Sequence, residues 1–253
     1  MLSYSVKGSG PAWVFLHGFL ESSSMWESLP LDDLPIQQIK IDLPGHGKSS
    51  QLLNTPSIQL MAQEVQLVLD KLSLTHFSVL GHSMGAYVGL ELSMHPGFQQ
   101  LILLNSNCWS DSEQKKQDRL RVAQIVHKAK DIFIREAIPN LFQSPESSKK
   151  ESAALIEEAK LMTPEAIAFS ALAMRERQDF TSNVNAFPEK FIFIHGIHDR
   201  LVSVEELNAK VPLSEKHYLN CGHMAHIEAK EEVMEILKMK INAFNISELK
   251  RKS

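Results

Sequence analysis

The chain has 253 residues, of which 43% are hydrophobic and 22% charged, and its formal net charge is −4. This length suits one domain, with or without an insertion, and the slight acidic excess argues against a nucleic-acid-binding surface. No apolar run approaches the roughly 20 residues that span a membrane. Cys108 and Cys221 are too few for a disulfide framework. The first residues lack a charged-then-apolar signal pattern, so we expect a cytoplasmic protein.

Short apolar runs alternate with amphipathic stretches along most of the chain. Predicted strands occupy residues 3–6, 12–16, 36–41, 77–80, 101–104, 191–194 and 216–219, and predicted helices lie near 21–29, 57–72, 84–95 and 231–244. Several of the strands are continuously apolar, as expected for strands that are buried on both faces. The pattern predicts an α/β fold with a mostly parallel central sheet and helices on both faces.

Between residues 110 and 179 the strand pattern disappears. Ser110 and Glu113 have the spacing of a capping box that starts a helix to about residue 130, and a second helical stretch covers 131–142. Ser144-Pro145 and Thr163-Pro164 each have the pattern of a helix start. A helical insertion between two strands is expected to lie over the strand ends as a cap. The predicted division is a core of residues 1–109 and 185–253 with an inserted helical cap of residues 110–184; the alternative is that these helices pack against the sheet.

The pentapeptide Gly81-His82-Ser83-Met84-Gly85 joins a predicted strand to a predicted helix. A turn this tight favours glycine on both sides, and it exposes the serine hydroxyl at a helix N-terminus. The string alone is a weak signal, because turns often contain glycine and serine. Its strand-before and helix-after context favours a nucleophile over an ordinary turn.

A serine hydroxyl becomes a good nucleophile only when a base takes its proton and a carboxylate orients that base. Asp199 and His223 each follow a later predicted strand, in the chain order Ser83, Asp199, His223. His226 lies in the same last loop and is the alternative base. We favour His223, because it follows the strand end and its glycine directly.

Other polar residues near strand ends are interpreted as structural or loop residues. They are His198, Asp42 and His46, with His82 as the variable position of the pentapeptide. No cysteine or histidine cluster has zinc spacing, so we predict no metal. The Gly8-Ser9-Gly10 turn does not join a strand to a helix, which excludes a dinucleotide fingerprint, and no cofactor is expected.

In this order, the motifs resemble those of the α/β-hydrolase fold superfamily. They are His17-Gly18-Phe19, Asp42-x-Pro-Gly-His-Gly-x-Ser49, the pentapeptide, Gly196-x-x-Asp199, and Gly222-His223 through Glu228. The resemblance implies that Ser83 is the nucleophile, Asp199 the acid and His223 the base. It also implies an oxyanion hole made by the backbone N–H groups of Phe19 and Met84.

Two features narrow the resemblance to a branch. A serine nucleophile excludes the dehalogenase and epoxide hydrolase branches, which use aspartate. The chain has Ala86-Tyr87 where the menaquinone-pathway branch usually has an arginine for a carboxylated substrate. The chain is most similar to small capped serine esterases, including pimeloyl-carrier methyl ester esterases and lactonases. We therefore expect hydrolysis of a carboxylic ester through an acyl-enzyme, with carbon–carbon bond hydrolysis or a ligand receptor of this fold as alternatives.

The expected substrate is a small-molecule ester in an apolar pocket. The residues expected to line it are Phe19, Ile138, Phe142, Phe169 and Leu172. The first predicted cap helix also carries a run of basic residues: Lys115, Lys116, Arg119, Arg121, Lys128 and Lys130. The default interpretation of this run is a solvated face, and the second is a docking face for an acidic acyl carrier protein.

Overall fold

The computed structural model describes the backbone of residues 1–252 and the side chains of residues 1–244; Ser253, the end of the predicted core, lies outside the described residues. Seven strands form one sheet in the order β1-β3-β2-β4-β5-β6-β7. They are β1 (Tyr4–Lys7), β2 (Ala12–Leu16), β3 (Gln37–Ile41), β4 (Phe77–His82), β5 (Phe98–Leu104), β6 (Phe191–Gly196) and β7 (Glu215–Leu219). β1 is antiparallel to β3, and every other neighbouring pair is parallel. The predicted α/β class is confirmed.

The strands are connected largely by helices. The α-helices are α1 (Ile58–Lys71), α2 (Met84–Leu92), α3 (Glu113–Ala137), α4 (Lys149–Ala159), α5 (Pro164–Arg175), α6 (Thr181–Ala186), α7 (Val204–Lys210), α8 (Ala225–Glu228) and α9 (Lys230–Lys252). The helix predicted near 21–29 is a 3₁₀ helix at Ser23–Ser28. Within the described part of the chain, no helix has both the length and the apolar character that crossing a membrane requires.

Alternate residues of the central strands belong to two different cores. In β5, Leu101 and Leu103 belong to the cluster that contains the buried residues of α1 and α2, whereas Ile102 and Leu104 belong to the cluster of α9. All four side chains are fully buried. Each such side chain contributes about 1.5–3 kcal/mol by leaving water. Burial on both faces explains why these strands are continuously apolar in sequence.

Residues 110–184, called the cap segment below, supply helices and no strand between β5 and β6. α3 packs against α5, and buried residues of both helices belong to a third apolar cluster. α3 bends at Ala129, where φ is −148° and ψ is 43°, close to the predicted break between two helical stretches. The predicted start at Thr163-Pro164 is confirmed, because the Thr163 side chain accepts a hydrogen bond from Ala166 N.

Two predicted helix starts are wrong. α3 is capped by Ser112, whose Oγ accepts from Lys115 N at 3.3 Å, while Ser110 N donates to Asp179 Oδ2 at 3.3 Å. Ser112 has the extended backbone of an N-cap, with ψ of 160°, so the helix begins directly after it. The segment after Ser144 forms a turn, and α4 begins only at Lys149.

Candidate active site

The turn between β4 and α2 holds Ser83 in an unusual backbone conformation. Its φ is 48° and its ψ is −113°, a backbone region that residues other than glycine rarely occupy. A Cβ at position 81 would lie 2.5 Å from Ala86 backbone atoms, and one at position 85 would collide with the backbone of Leu16. Both flanking positions therefore require glycine, as the motif predicted. Backbone strain of this kind, about 1–3 kcal/mol, persists where surrounding structure enforces it.

Ser83, His223 and Asp199 form one line of hydrogen bonds. His223 Nε2 lies 2.9 Å from Ser83 Oγ, and His223 Nδ1 lies 2.7 Å from Asp199 Oδ2. A carboxylate only accepts, so Nδ1 carries the proton and Nε2 is free to accept from the serine hydroxyl. The structure thus brings together side chains that follow three different strands.

Asp199 is buried, and its two oxygens are fully engaged. Oδ1 accepts from Leu201 N at 2.8 Å, and Oδ2 accepts from His223 and from Asn105 Nδ2, the latter at 3.2 Å. Burial by itself raises the pKa of Asp199, but the charge and hydrogen bond of His223 outweigh it and lower that pKa below its ordinary value. Asp199 is therefore ionised at neutral pH.

Asn105 was missed in the sequence. It follows β5 directly with a φ of 46°, and its Nδ2 also donates to Gly222 O at 3.0 Å while its Oδ1 accepts from Ala225 N at 3.3 Å. This one amide therefore connects the Asp199 carboxylate with the loop that carries His223. A polar residue at the end of a predicted strand, on the edge where Ser83 and Asp199 also lie, was the available signal.

The backbone N–H groups of Phe19 and Met84 are both available as donors. Met84 is the first residue of α2, so its N–H has no acceptor within the helix. Phe19 lies in the loop after β2, followed by Leu20 with a φ of 66°. Among the hydrogen bonds of the described residues, neither of these two amides is a donor.

A buried ion pair lies directly beneath this site. Glu21 Oε2 accepts from Gly18 N at 2.9 Å and lies 2.7 Å from His82 Nδ1, and His82 Nε2 lies 3.0 Å from His223 O. Both ring nitrogens of His82 face acceptors, so the ring donates twice and is an imidazolium. The pair joins the loop after β2, the serine turn and the loop of His223. Nothing in the sequence indicated a role for Glu21, and His82 was interpreted only as the variable position of the pentapeptide.

Burial opposes both charges of this pair, and their mutual attraction outweighs it. Burial raises the pKa of Glu21, but His82 and His226 lower it to about 2. Burial likewise lowers the pKa of His82, yet the charge and hydrogen bond of Glu21 raise it above its ordinary value. The charged forms therefore coexist at neutral pH.

His226, the alternative base, belongs to the ion pair and not to the serine. Its ring lies 5.0 Å from that of His82, and Nε2 is 3.5 Å from Glu21 Oε1. Burial lowers the pKa of His226 to about 3, so the ring is neutral. Glu21, His82 and His226 have ligand types that suit a metal, and their atoms lie within 4.8 Å of one another. The 2.7 Å contact between Glu21 and His82 is a direct hydrogen bond, closer than two ligands around an ion, so a proton fits there and a metal does not.

The remaining polar candidates make local contacts. Asp42 accepts from Ser23 N at 2.8 Å and Lys48 N at 2.9 Å, and His46 Nδ1 lies 3.0 Å from Pro44 O. His198 is exposed and contacts Asn220. Cys108 and Cys221 are buried, and burial raises the pKa of each thiol to about 12.

A cavity of about 470 Å³ opens above Ser83. Most of its wall is apolar: Phe19, Leu20, Tyr87, Val122, Phe133, Ala137, Leu141, Met174, Leu201, Val202 and Met224. Besides the ion pair of Glu21 and His82, five charged side chains line it: Asp111, Lys115, Asp118, Arg119 and Arg200. The cap segment supplies much of this wall, opposite the strand ends.

Of the residues expected to bind substrate, the structure places only Phe19 in the wall. Ile138 and Phe142 are buried in the apolar cluster of the cap segment, and Leu172 packs against that cluster. Phe169 is buried in the core beside the sheet. The expectation was wrong for these four because neighbours in a helix point about 100° apart. Other residues of the cap segment line the cavity instead, namely Phe133, Ala137, Leu141 and Met174.

Comparison with known proteins agrees with this fold. Residues 13–236 match the profile of the alpha/beta hydrolase family, and the chain belongs to that family. An esterase from Thermogutta terrifontis superposes with a TM-score of 0.85 at 25% sequence identity, covering 96% of this chain and 93% of that one.

Two curated relatives illustrate the range of reactions in the family. A 2-succinyl-6-hydroxy-2,4-cyclohexadiene-1-carboxylate synthase from Enterobacter sp. is 25% identical over 91% of this chain and 93% of its own length. A pimeloyl-[acyl-carrier protein] methyl ester esterase from Nitrosomonas europaea is 31% identical, over 39% of this chain and 38% of its own length.

Glu21→Gln should destabilise the protein in a pH-dependent way. Breaking a buried ion pair on one side lowers the free energy of unfolding by about 3–5 kcal/mol. The lowered pKa of Glu21 contributes stability above its ordinary 4.5 that is lost as pH falls toward about 2. The raised pKa of His82 contributes stability below its ordinary 6.5 that is lost as pH rises through the raised value. The difference from wild type, measured by urea unfolding, should therefore be largest between those two ordinary values.

The matched control for this experiment is Glu27→Gln. Glu27 lies in the neighbouring 3₁₀ helix, and it is exposed. Its substitution should change the free energy of unfolding by less than about 0.5 kcal/mol. A Glu21→Gln difference that stays constant with pH would contradict the ion pair.

Proposed function

We propose that the chain hydrolyses a carboxylic ester with a small or medium acyl chain, through an acyl-enzyme formed on Ser83. The observation that carries this proposal is the continuous hydrogen-bonded line from Asp199 through His223 to Ser83 beneath an apolar cavity. In this proposal Ser83 is the nucleophile, His223 the general base and Asp199 the orienting acid. Membership of the alpha/beta hydrolase family supports it.

The proposed reaction begins when Ser83 Oγ attacks the ester carbonyl and its proton passes to His223 Nε2. The carbonyl oxygen becomes an oxyanion that accepts hydrogen bonds from Phe19 N and Met84 N. Each such donor stabilises the tetrahedral state by about 3–4 kcal/mol. His223 then returns the proton to the leaving alcohol, and a water molecule repeats the sequence to release the acid.

Asp199 and Asn105 keep the base ready for this exchange. The carboxylate accepts from His223 Nδ1, which leaves the lone pair of Nε2 pointing at the serine. As the imidazole gains the serine proton, the ionised and buried Asp199 stabilises its charge. Asn105 donates to the same carboxylate oxygen and so holds it in place.

The cavity sets the class of ester. Its wall is mostly apolar, and about 470 Å³ suits a small or medium acyl chain. Phe133 and Leu141 line it from the cap segment, and Val202 and Met224 line it from loops of the sheet. We accordingly propose that residues 110–184 act as a cap over a core of residues 1–109 and 185–253.

The synthase among the relatives suggests a second candidate, a reaction on a carboxylated substrate beside the serine turn. Arg177 lies there, with its guanidinium carbon 4.1 Å from the centre of the Tyr87 ring. Its NH1 is 2.5 Å from Asp111 Oδ1, and its Nε donates to Trp109 O at 3.1 Å. Arg177 is already compensated by Asp111, so this particular side chain offers no free charge to a carboxylate beside the serine turn, and we favour the ester hydrolase.

Carrier-protein docking is a weaker proposal than a free small-molecule ester. Among the basic side chains of α3, Lys116 and Arg121 pair with acids of the same helix and Arg119 pairs with Asp111. Lys130 donates to two backbone carbonyls. Charges that are already compensated attract an acidic partner less strongly, which favours the solvated face.

Substitution of the proposed nucleophile and base should abolish activity without unfolding the protein. Ser83→Ala and His223→Ala should each lower kcat for p-nitrophenyl butyrate by about 10⁴-fold or more. His226→Ala should lower it far less, because the ring contacts Glu21 and His82 and not the serine. A burst of p-nitrophenol in wild type would also separate an acyl-enzyme from a ligand receptor. Greater damage from His226→Ala would reassign the base.

The pH dependence should follow a single imidazole. kcat/KM should rise with pH and then level off, because only the neutral form of His223 can accept the serine proton. Asp199 stays ionised throughout because its pKa is lowered. Asp199→Asn should lower kcat by about 10⁴-fold, because the imidazole then adopts the wrong tautomer. Initial rates measured from acidic to mildly alkaline pH test both points, and a flat profile would exclude a histidine base.

A further inference from the structure

The charged side chains that line the cavity are unevenly compensated. Both rim carboxylates already have cationic partners: Asp111 lies 3.2 Å from Arg119 Nε and 2.5 Å from Arg177 NH1, and Asp118 lies 2.8 Å from Arg121 NH1. The buried Glu21 is paired with His82. No carboxylate of the cavity wall is therefore free to hold a cation.

Two cations of the rim have no acidic partner. Lys115 Nζ donates to a neutral acceptor, Leu201 O, at 2.8 Å. Arg200 makes no hydrogen bond and no ion pair with any residue whose side chain the structure describes. Because Leu201 follows Arg200 in the chain, this hydrogen bond brings α3 and the loop after β6 together, with both cations at the same part of the rim.

This arrangement attracts an anion. Two neighbouring like charges repel each other, and an anionic group between them would relieve that repulsion. A guanidinium and an ammonium together suit a carboxylate, because the first can bind it with two hydrogen bonds and the second adds a point charge. Arg200 directly follows Asp199, so this part of the rim adjoins the reacting end of the cavity.

We propose that Lys115 and Arg200 form an anion subsite that binds a free carboxylate of the substrate. The substrate class is then an ester that carries a carboxylate away from the scissile bond, such as a monoester of a dicarboxylic acid. The apolar wall holds the chain between the two ends. This inference rests on the proposed ester hydrolysis and specifies which esters the site prefers.

The test compares two esters of equal chain length that differ in the terminal carboxylate, monoethyl adipate and ethyl hexanoate. The measured quantity is the ratio of their kcat/KM values. Arg200→Gln should lower this ratio about 5-fold and the double variant Lys115→Gln/Arg200→Gln about 10-fold or more, mainly through KM. Arg200 has no hydrogen bond or ion pair to lose with any residue whose side chain the structure describes, so its substitution breaks no such link between the loop and its neighbours. The same ratio is then measured for the monoethyl esters of succinate, glutarate and suberate, each against the ethyl ester of the monocarboxylic acid of equal chain length. The largest ratio identifies the chain length that fits best.

Two controls separate the subsite from general charge and from folding. Lys128→Gln removes an exposed cation of α3 outside the cavity and should leave the ratio unchanged. The charge-conserving double variant Lys115→Arg/Arg200→Lys should keep most of the wild-type ratio. A ratio that is the same in wild type and in Lys115→Gln/Arg200→Gln would overturn the subsite, and so would an equal fall with Lys128→Gln.

A binding measurement keeps this test independent of catalysis. Calorimetry on a Ser83→Ala background, which prevents turnover, should show monoethyl adipate binding more tightly than the neutral ethyl hexanoate, with the preference lost when Lys115→Gln and Arg200→Gln are added. If wild type hydrolyses neither ester but monoethyl adipate still binds in this way, the ester hydrolase fails and the subsite stands. If ethyl hexanoate is hydrolysed and the carboxylate gives no preference, the subsite fails and the hydrolase stands.

Discussion

The strained turn at Ser83 is the constraint on which the rest of this site depends. A positive φ at a serine persists only when the surrounding structure leaves no alternative, and here the backbones of β2 and α2 enclose the turn so closely that glycine is required on both sides. The turn places one hydroxyl and one free N–H at the start of a helix. Because the strands on either side are parallel, their carboxyl ends present partner residues at the same edge.

Buried charge stabilises the loops around this turn. The ion pair of Glu21 and His82 connects Gly18, the serine turn and the carbonyl of His223, so three loops share one hydrogen-bond network. The mutual attraction and the hydrogen bonds of such a pair offset the desolvation cost of burying its two charges. Removing one partner leaves the other charge buried and unpaired. Neutral His226 fills the remaining space beside it.

Both the sheet and the cap segment contribute to the cavity. The alpha/beta hydrolase fold provides the strand ends, whereas the cap segment provides much of the apolar wall and most of the charged rim. Charges at the rim are paired with one another except for Lys115 and Arg200, and the specificity we propose follows from that imbalance. Family membership alone does not determine this property, because the chain's relatives include both an esterase and a synthase.

The sequence by itself determined the sheet class and the positions of Ser83, Asp199 and His223 after strand ends, because these depend on local periodicity and on glycines at fixed spacing. It did not reveal Glu21 or Asn105, since their partners lie 61 and 94 residues away along the chain. It also misassigned Ile138, Phe142, Phe169 and Leu172 to the cavity. The packing of separate helices decides which apolar face of a cap helix lines the cavity and which cation remains unpaired. Periodicity in the sequence predicts that a face is buried, but it does not predict which part of the protein packs against that face.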